Sequence, residues 1–418
     1  MTPRPTERSL ARHGRRVVIT GLGAVTAAGW GVARFREALG SGQSAIGPFD
    51  RFDNAAQRTH VAAQVPERPP FGLDRRVPWN RLANSDRFAL SSAREAAAQA
   101  GLALPVDVRA GVFFGSSTGG LLETEQYFEE LLRRPGSRPR LTLLASNPLG
   151  APAEIVARYL GVRGPVETIS SACASSGLAI EQAFRSVGSG EVDIAFAGGA
   201  DCLCRTTYSG FNVLRAVDEK ACRPFRTDRG GLSLGEGGAV LVLEALEHAR
   251  ARGARPLAEV LGAASSCDAN HMTAPLADGT WAASALERAI DDAGLEPSAI
   301  DFVNAHGTGT LLNDAAEDAA LRRVFGERMK HLPVEATKSV VGHLLGAAGV
   351  IEAVATVLGL LGREVHPAPG GGGIDPGLSI DLVLDTPRPV PGMRAAISAS
   401  LGFGGANAAL VLGRWDES

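Results

Sequence analysis

The sequence predicts an α/β protein with covered sheets, built from two halves of like topology. Three observations carry this reading. Short β-branched runs bounded by glycine, at residues 111–115, 192–196, 239–243 and 302–305, read as buried strands. Longer stretches with helical spacing lie between them. Ala283, Leu286, Ala289, Ile290 and Ala293 share one face of residues 280–293, and Ala316, Ala319, Ala320 and Val324 share one face of 315–325. The succession of strand, sharp turn and helix also occurs twice. Val166-Glu167-Thr168 leads through a Ser/Gly turn into a helix carrying Ile180, Phe184 and Val187. Val334-Glu335-Ala336 leads through a Gly turn into one carrying Ile351, Val354 and Leu358. The halves join near residues 250–258.

The other elements follow in order. Residues 1–14, with Arg4, Arg8 and Arg12, read as a flexible tail. Val17 to Thr20 reads as a strand followed by a Gly turn at Gly21 and Gly23. Arg15-Arg16 before this apolar run imitates a twin-arginine leader, but the glycines oppose that reading. Residues 340–362 are apolar except for His343 and Glu352 and are long enough to span a bilayer. Their two ionisable groups and five glycines point instead to a helix buried in a protein core, with no membrane span. Pro367 to Gly377, with four consecutive glycines, reads as a surface loop.

Composition removes other classes. Glycine supplies 51 of 418 residues without a G-X-Y period, which excludes collagen, and 45% hydrophobic content excludes a disordered chain. Forty-two basic residues against 45 acidic ones leave a net charge of −3, so no basic field invites nucleic acid. Five cysteines, without a C-x-x-C pair, suit free thiols in a reducing, cytoplasmic setting rather than a disulfide scaffold or zinc site. No nucleotide-binding glycine fingerprint is present.

Three residues could carry chemistry. Cys173 lies between a strand and a helix, where unpaired N–H groups and the helix dipole favour thiolate. The plainer reading is a small buried thiol in a tight turn. His306, in Asn304-Ala305-His306-Gly307-Thr308, directly follows a strand. His343 lies in Gly342-His343-Leu344-Leu345-Gly346, where a helix begins. Each stands where α/β enzymes place their sites. Together they form a Cys/His/His constellation for nucleophilic catalysis, with a zinc site as the competing use.

These residues carry a resemblance. From about Arg16 to Trp415 the chain resembles a β-ketoacyl-acyl carrier protein synthase of the elongating type, in the thiolase-like superfamily. The matching blocks occur in order: residues 17–23, Ser171-Ala172-Cys173-Ala174-Ser175, Gly198-Gly199-Ala200-Asp201, Arg223-Pro224-Phe225, Gly235-Glu236-Gly237, residues 304–308, Asn313-Asp314, Lys338-Ser339, residues 342–349 and residues 402–407. The resemblance implies a thiolase-like five-layer αβαβα fold of two similar halves with mixed sheets. Residues 15–256 would hold the nucleophile and 257–415 the two histidines. It implies decarboxylative Claisen condensation through an acyl-Cys intermediate, in fatty acid or polyketide biosynthesis. Cys173 is then the nucleophile, and His306 and His343 hold the enolate oxygen. The backbone N–H groups of Cys173 and Phe403 form the oxyanion hole, with Gly402, Gly404 and Gly405 letting that backbone come close.

Phe403 would also gate the acyl pocket. Lys338 would position His343, with Glu352 as its partner; a purely structural ion pair is the alternative. Thr308 and Thr310 would bond the phosphopantetheine arm, which arrives on the acyl carrier protein, so that no tightly bound cofactor or metal is required. Asn313 and Asp314 read as loop and helix-cap residues. The implied partners are the carrier protein, its acyl and malonyl thioesters, and a second ketosynthase chain, identical or dissimilar. A ketosynthase subunit working with a dissimilar partner is the alternative role. A non-catalytic chain-length partner is opposed by the presence of Cys173. A thiolase is opposed by the lack of a second Cys in residues 396–407.

Four departures stand out. Ala83-Asn84-Ser85 replaces a basic pair, for which Arg75, Arg76, Arg81 and Arg87 could compensate. Leu401 stands for a Phe beside the gate. Thr118 occupies a stretch that lines the acyl pocket in relatives. Gly370 to Gly373 replaces a segment that usually contains Asn.

Overall fold

The computed structural model describes residues 13–66, 77–106 and 108–416. Arg75, Arg76 and most of the expected tail lie outside the described residues. His13 and Gly14 do not. His13 is buried against Phe184, with Nε2 2.9 Å from Asp292 Oδ1, so this part of the expected tail packs on the core.

In the N-terminal half, β1 (Val17–Thr26), β2 (Ala110–Gly115), β3 (Val166–Ile169), β4 (Ile194–Asp201) and β5 (Gly237–Ala245) stand in the order β3-β2-β4-β5-β1. The first two pairings are parallel and the next two antiparallel. In the C-terminal half, β6 (Ala258–Cys267), β7 (Phe302–Asn304), β8 (Pro333–Glu335), β9 (Asp381–Leu382), β10 (Ala395–Leu401) and β11 (Ala406–Arg414) repeat the pattern. Their order is β9-β8-β7-β10-β11-β6, with β9 added at the edge, and the same two parallel pairings precede the same two antiparallel ones. The sheets touch where Val17, Val18 and Ile19 pair with Val260, Glu259 and Ala258.

The repetition reaches single residues. The β1–β5 register slips between Ile19 and Gly21, and the β11–β6 register slips where β6 passes from Val260 to Gly262. A Cβ on Gly21 would fall 2.1 Å from the Ala96 carbonyl oxygen, and one on Gly262 2.6 Å from that of Ala289. In each half, an outer helix seats on the sheet only because the side chain is missing. This corrects the turn expected after Thr20. The glycines admit a helix, and the strand runs on to Thr26.

Helix α1 (Asn84–Gln99) covers the outer face of the first sheet. Helices α2 (Ser175–Ser189) and α5 (Ala348–Gly362) lie between the sheets, and α3 (Thr280–Asp292) and α4 (Leu311–Phe325) cover the outer face of the second. Five layers, α-β-α-β-α, result. The apolar run of residues 340–362 is not one helix. A short helix, Lys338–Val341, ends at Gly342, and α5 starts six residues later. Leu345–Gly362 has the length and hydropathy of a membrane span, but the two sheets cover it, which explains why it is apolar on every side.

Candidate active site

The ends of three parallel strands deliver the chemistry to one place. After β3, the chain turns sharply, with Ala172 at φ 46, and sets Cys173 just before α2. After β7 comes His306, and after β8 come Lys338 and then His343. Cys173 and both histidines are buried. Their sulfur and ring nitrogens lie within 4.8 Å of one another. His343 Nε2 is 2.9 Å from Cys173 Sγ, and the two imidazoles meet edge to face at 5.5 Å.

Hydrogen bonds on the far side of each ring fix its tautomer. The Leu345 N–H donates to Nδ1 of His343 at 3.2 Å. The Lys338 ammonium donates to Nδ1 of His306 at 3.0 Å and to the His306 carbonyl oxygen. Each Nδ1 therefore accepts, and each Nε2 carries its proton toward the shared space. Burial, then the Lys338 charge, hold both imidazoles well below their ordinary pKa, so both are neutral donors. A metal would need lone pairs where these nitrogens carry hydrogens.

The thiol differs from its sequence-based expectation. Burial pushes Cys173 up to about 11, while the Lys338 charge and the backbone N–H groups of Phe403 and Cys173 pull it back only partly. The resting group is a thiol, not a thiolate, because desolvation outweighs the helix dipole. Those same two N–H groups point at sulfur, where an oxyanion hole would have to lie. A Cβ on Gly402 would come within 3.0 Å of the Ser171 carbonyl oxygen, so the loop carrying Phe403 approaches this closely only through glycine.

Lys338 corrects a second expectation. It contacts His306, not His343, and its other partner is the buried carboxylate of Glu352. The break at Gly342 turns His343 away from Lys338 although five residues separate them. Glu317, which the sequence reading passed over, accepts the backbone N–H groups of His306 at 2.6 Å and Gly307 at 2.8 Å. Asp201 was only part of a matching block. It accepts the N–H groups of Thr118 and Gly346 at 2.8 and 2.7 Å, and also those of Ser117 and Gly119. One carboxylate thereby ties the 116–119 turn to the segment following His343.

A cavity of about 290 Å³ leads to Cys173, lined among others by Phe211, Leu214, Thr308, Thr310, Leu312 and Phe403. Leu401 also lines it. The Phe403 ring stacks on Phe211 at 5.5 Å, and both rings line this cavity. Thr308 and Thr310 share a hydroxyl contact of 2.9 Å, and Thr310 also caps α4 by accepting from Asn313 N.

The family description "Beta-ketoacyl synthase, N-terminal domain" matches residues 14–249, and "Beta-ketoacyl synthase, C-terminal domain" matches residues 257–370. The chain belongs to the beta-ketoacyl synthase family, whose members are condensing acyltransferases. This beta-ketoacyl synthase is 38% identical over 415 residues to a putative polyketide beta-ketoacyl synthase 1 of Streptomyces halstedii, covering 95% of this chain and 98% of that one. It is 36% identical over 416 residues to 3-oxoacyl-[acyl-carrier-protein] synthase 2 of Staphylococcus aureus strain COL, covering 96% and 99%. Among solved structures it is similar to the ishigamide ketosynthase/chain length factor, with a TM-score of 0.91 and 35% identity over 96% of this chain and 100% of that one. A ketosynthase in complex with its chain length factor, from Xenorhabdus doucetiae, gives a TM-score of 0.83 and 31% identity over 96% and 98%.

Other residues of this beta-ketoacyl synthase acquire partners. The Thr118 hydroxyl is turned to Asp201 Oδ1 and the Cys202 carbonyl, both at 3.1 Å. Asp314 stands in the first turn of α4, just after the Thr310 cap. It is fully buried and accepts the N–H groups of Phe225 at 2.7 Å and Gly309 at 3.1 Å. The four-glycine loop acquires a local account. Gly372 and Ala368 offer carbonyl oxygens to the buried guanidinium of Arg226, at 2.5 and 2.7 Å.

Proposed function

We propose that this chain condenses an acyl group with a malonyl thioester carried on acyl carrier protein, using Cys173 as nucleophile and His306 and His343 as the enolate's donors. The observation that carries this reading is the Cys173 sulfur within 4.8 Å of a ring nitrogen of each histidine, with each Nδ1 turned to a donor of its own. In the first step, the Cys173 sulfur bonds to the acyl carbon and the carbon–sulfur bond to the pantetheine arm breaks. The thiol proton ends on the leaving pantetheine sulfur, and the N–H groups of Cys173 and Phe403 hold the oxyanion. In the second step, the malonyl carboxylate leaves as CO2. Its bonding electrons move into the thioester enolate, whose oxygen sits between the two histidines. The enolate carbon then attacks the acyl-Cys. The carbon–sulfur bond breaks, and the sulfur recovers a proton from water. The product is a 3-oxoacyl thioester on the carrier protein.

In this reading the pantetheine arm comes with the substrate, passes Thr308 and Thr310, and no tightly bound cofactor is needed. The site of action is cytoplasmic. The test is intact-mass analysis of the wild type and Cys173→Ala after incubation with an acyl carrier protein thioester. The wild type gains one acyl group and the variant none. Acylation persisting in the variant removes the assignment.

A second reading makes the chain the catalytic subunit beside a dissimilar partner. It is favoured by the likeness to the two solved ketosynthase/chain length factor proteins. Strand β3 stands at the free edge of its sheet with Val166 41% exposed, and an unpaired edge invites a second chain. Co-expression with a dissimilar ketosynthase-like chain, followed by light scattering, separates a heterodimer from a homodimer.

A further inference from the structure

Behind the catalytic groups lies a second buried ion pair that the condensation steps do not use. His366 and Glu335 are 2% and 1% exposed. The His366 ring Nδ1 lies 3.1 Å from Glu335 Oε2, and its backbone N–H points at the same oxygen from 3.4 Å. The other carboxylate oxygen accepts from Asn304 Nδ2 and Thr337 Oγ1, each at 3.1 Å. Asn304 Nδ2 also lies 3.0 Å from Thr337 Oγ1 and 3.1 Å from the Glu352 carbonyl oxygen.

The placement of these partners matters. Asn304 ends β7, two residues before His306. Glu335 ends β8, and Thr337 directly precedes Lys338. Glu352 is the partner of Lys338. The Glu335 carboxylate therefore joins the segments that carry His306 and Lys338, and Asn304 extends the link to the backbone of Glu352. A buried carboxylate with no cation beside it is costly and tends to take up a proton. Glu335 holds all these partners by accepting at both oxygens. The His366 ring sets a cation-forming group 3.1 Å from that carboxylate.

We propose that the Glu335–His366 ion pair is the positioning element of the condensing site, holding Asn304 and Thr337 so that Lys338 meets Nδ1 of His306. The proposal rests on the reading of the chain as a decarboxylating condensing enzyme. It predicts a split between two half-reactions. Acylation of Cys173 depends on α2 and the Phe403 loop, which the pair does not touch. Decarboxylation depends on His306, which it does.

The charged groups around His366 set a pH limb. Burial lowers its pKa, but Glu335, with help from Glu364, outweighs burial and the opposing Arg36, so the pKa is raised. A raised pKa means that the pair is intact at low pH and is lost as pH rises through that value.

The experiment measures both half-reactions on the full-length enzyme. Malonyl decarboxylation is followed by CO2 release and Cys173 acylation by intact mass, in wild type, His366→Gln, Glu335→Gln and the double variant. His366→Gln is expected to slow CO2 release about tenfold, to leave acylation at the wild-type rate and to move the alkaline limb of the CO2 profile. The double variant, with both charges gone and amide hydrogen bonds in their place, is expected to recover part of that loss. Wild-type CO2 release in both single variants overturns the proposal. So does an equal loss of both half-reactions with a lowered Tm, since that marks a purely structural pair. Failure of the wild type itself to acylate would strike the functional reading instead.

Discussion

The Lys338 ammonium lies 3.0 Å from Nδ1 of His306 and also holds the Glu352 carboxylate. It thereby decides which nitrogen of His306 carries the proton, while a backbone N–H performs the same task for His343. Two neutral imidazoles are set as donors by two different devices, a charged side chain and a fixed amide. Only the first can be removed by substitution.

Lys338→Met follows from this. Without the ammonium, His306 can take either tautomer, and Glu352 is left buried without its cation. Decarboxylation should fall about 100-fold, the scale of losing one oriented donor. Acylation of Cys173 should fall far less, since sulfur loses the Lys338 charge but keeps its N–H neighbours. Rapid-quench measurement of both half-reactions checks this. Equal losses in the two would contradict the assigned role.

Glu317 offers a pH test. Burial pushes its carboxyl up from 4.5 to about 7, although the Gly307 and His306 N–H groups oppose this. Below that pH it takes up a proton, and an O–H then competes with two N–H donors that face it. Decarboxylation should decline as pH falls through about 7. The sign for stability is opposite. The folded chain binds a proton that the unfolded chain releases near 4.5, so this group's contribution is complete below that pH and is lost as pH rises through about 7. A pH series of Tm on wild type and Glu317→Gln should show the variant with the flatter profile between those values.

The nucleophile turn, the two histidine loops and the alternating strands were legible because each is local. A few adjacent residues announce a strand end or a turn. The Lys338–Glu352 pair was legible. The ring that Lys338 orients was not: the resemblance implied His343, and the chain break at Gly342 sends that ring elsewhere. The contact of Thr118 was not legible for a similar reason: its hydroxyl meets Asp201, 83 residues away. The Cys173 acidity was misjudged because a helix terminus can be read from sequence and burial cannot. The glycines split the same way. Gly402 could be anticipated beside the nucleophile, whereas Gly21 reads as a turn residue in the sequence although a helix lies on it.

Asp201 tests how far one carboxylate organises the site. It accepts four backbone N–H groups from two segments and the Ser116 hydroxyl at 2.8 Å. Asp201→Asn turns one acceptor into a donor aimed at donors. A cost of about 2–4 kcal/mol is expected, as for a buried polar network broken at one partner. Because the Gly346 N–H is among those released, the His343 segment should loosen as well. Urea unfolding should show the lower midpoint, and the residual folded enzyme should release CO2 more slowly.

The mouth of the cavity supplies the last prediction. Leu214, Leu311 and Leu312 line it and are 54%, 63% and 66% exposed, and Val213 and Met272 are 82% and 77% exposed. Exposed leucines at the opening through which a carrier-borne substrate must pass form an apolar contact surface. The segment Ala83-Asn84-Ser85 offers no charge in place of the missing basic pair. Contact through leucine is insensitive to salt, whereas contact through arginine weakens as salt rises. Leu312→Asp should therefore raise KM for an acyl carrier protein thioester about tenfold, equivalent to ~1.4 kcal/mol. It should leave KM for a short pantetheine thioester unchanged, since that slender substrate does not cover the exposed face of Leu312 as a carrier protein would. Steady-state kinetics with both substrates, at low and high salt, check the point. A rise in KM for both substrates would place Leu312 in the arm's path rather than on the docking surface.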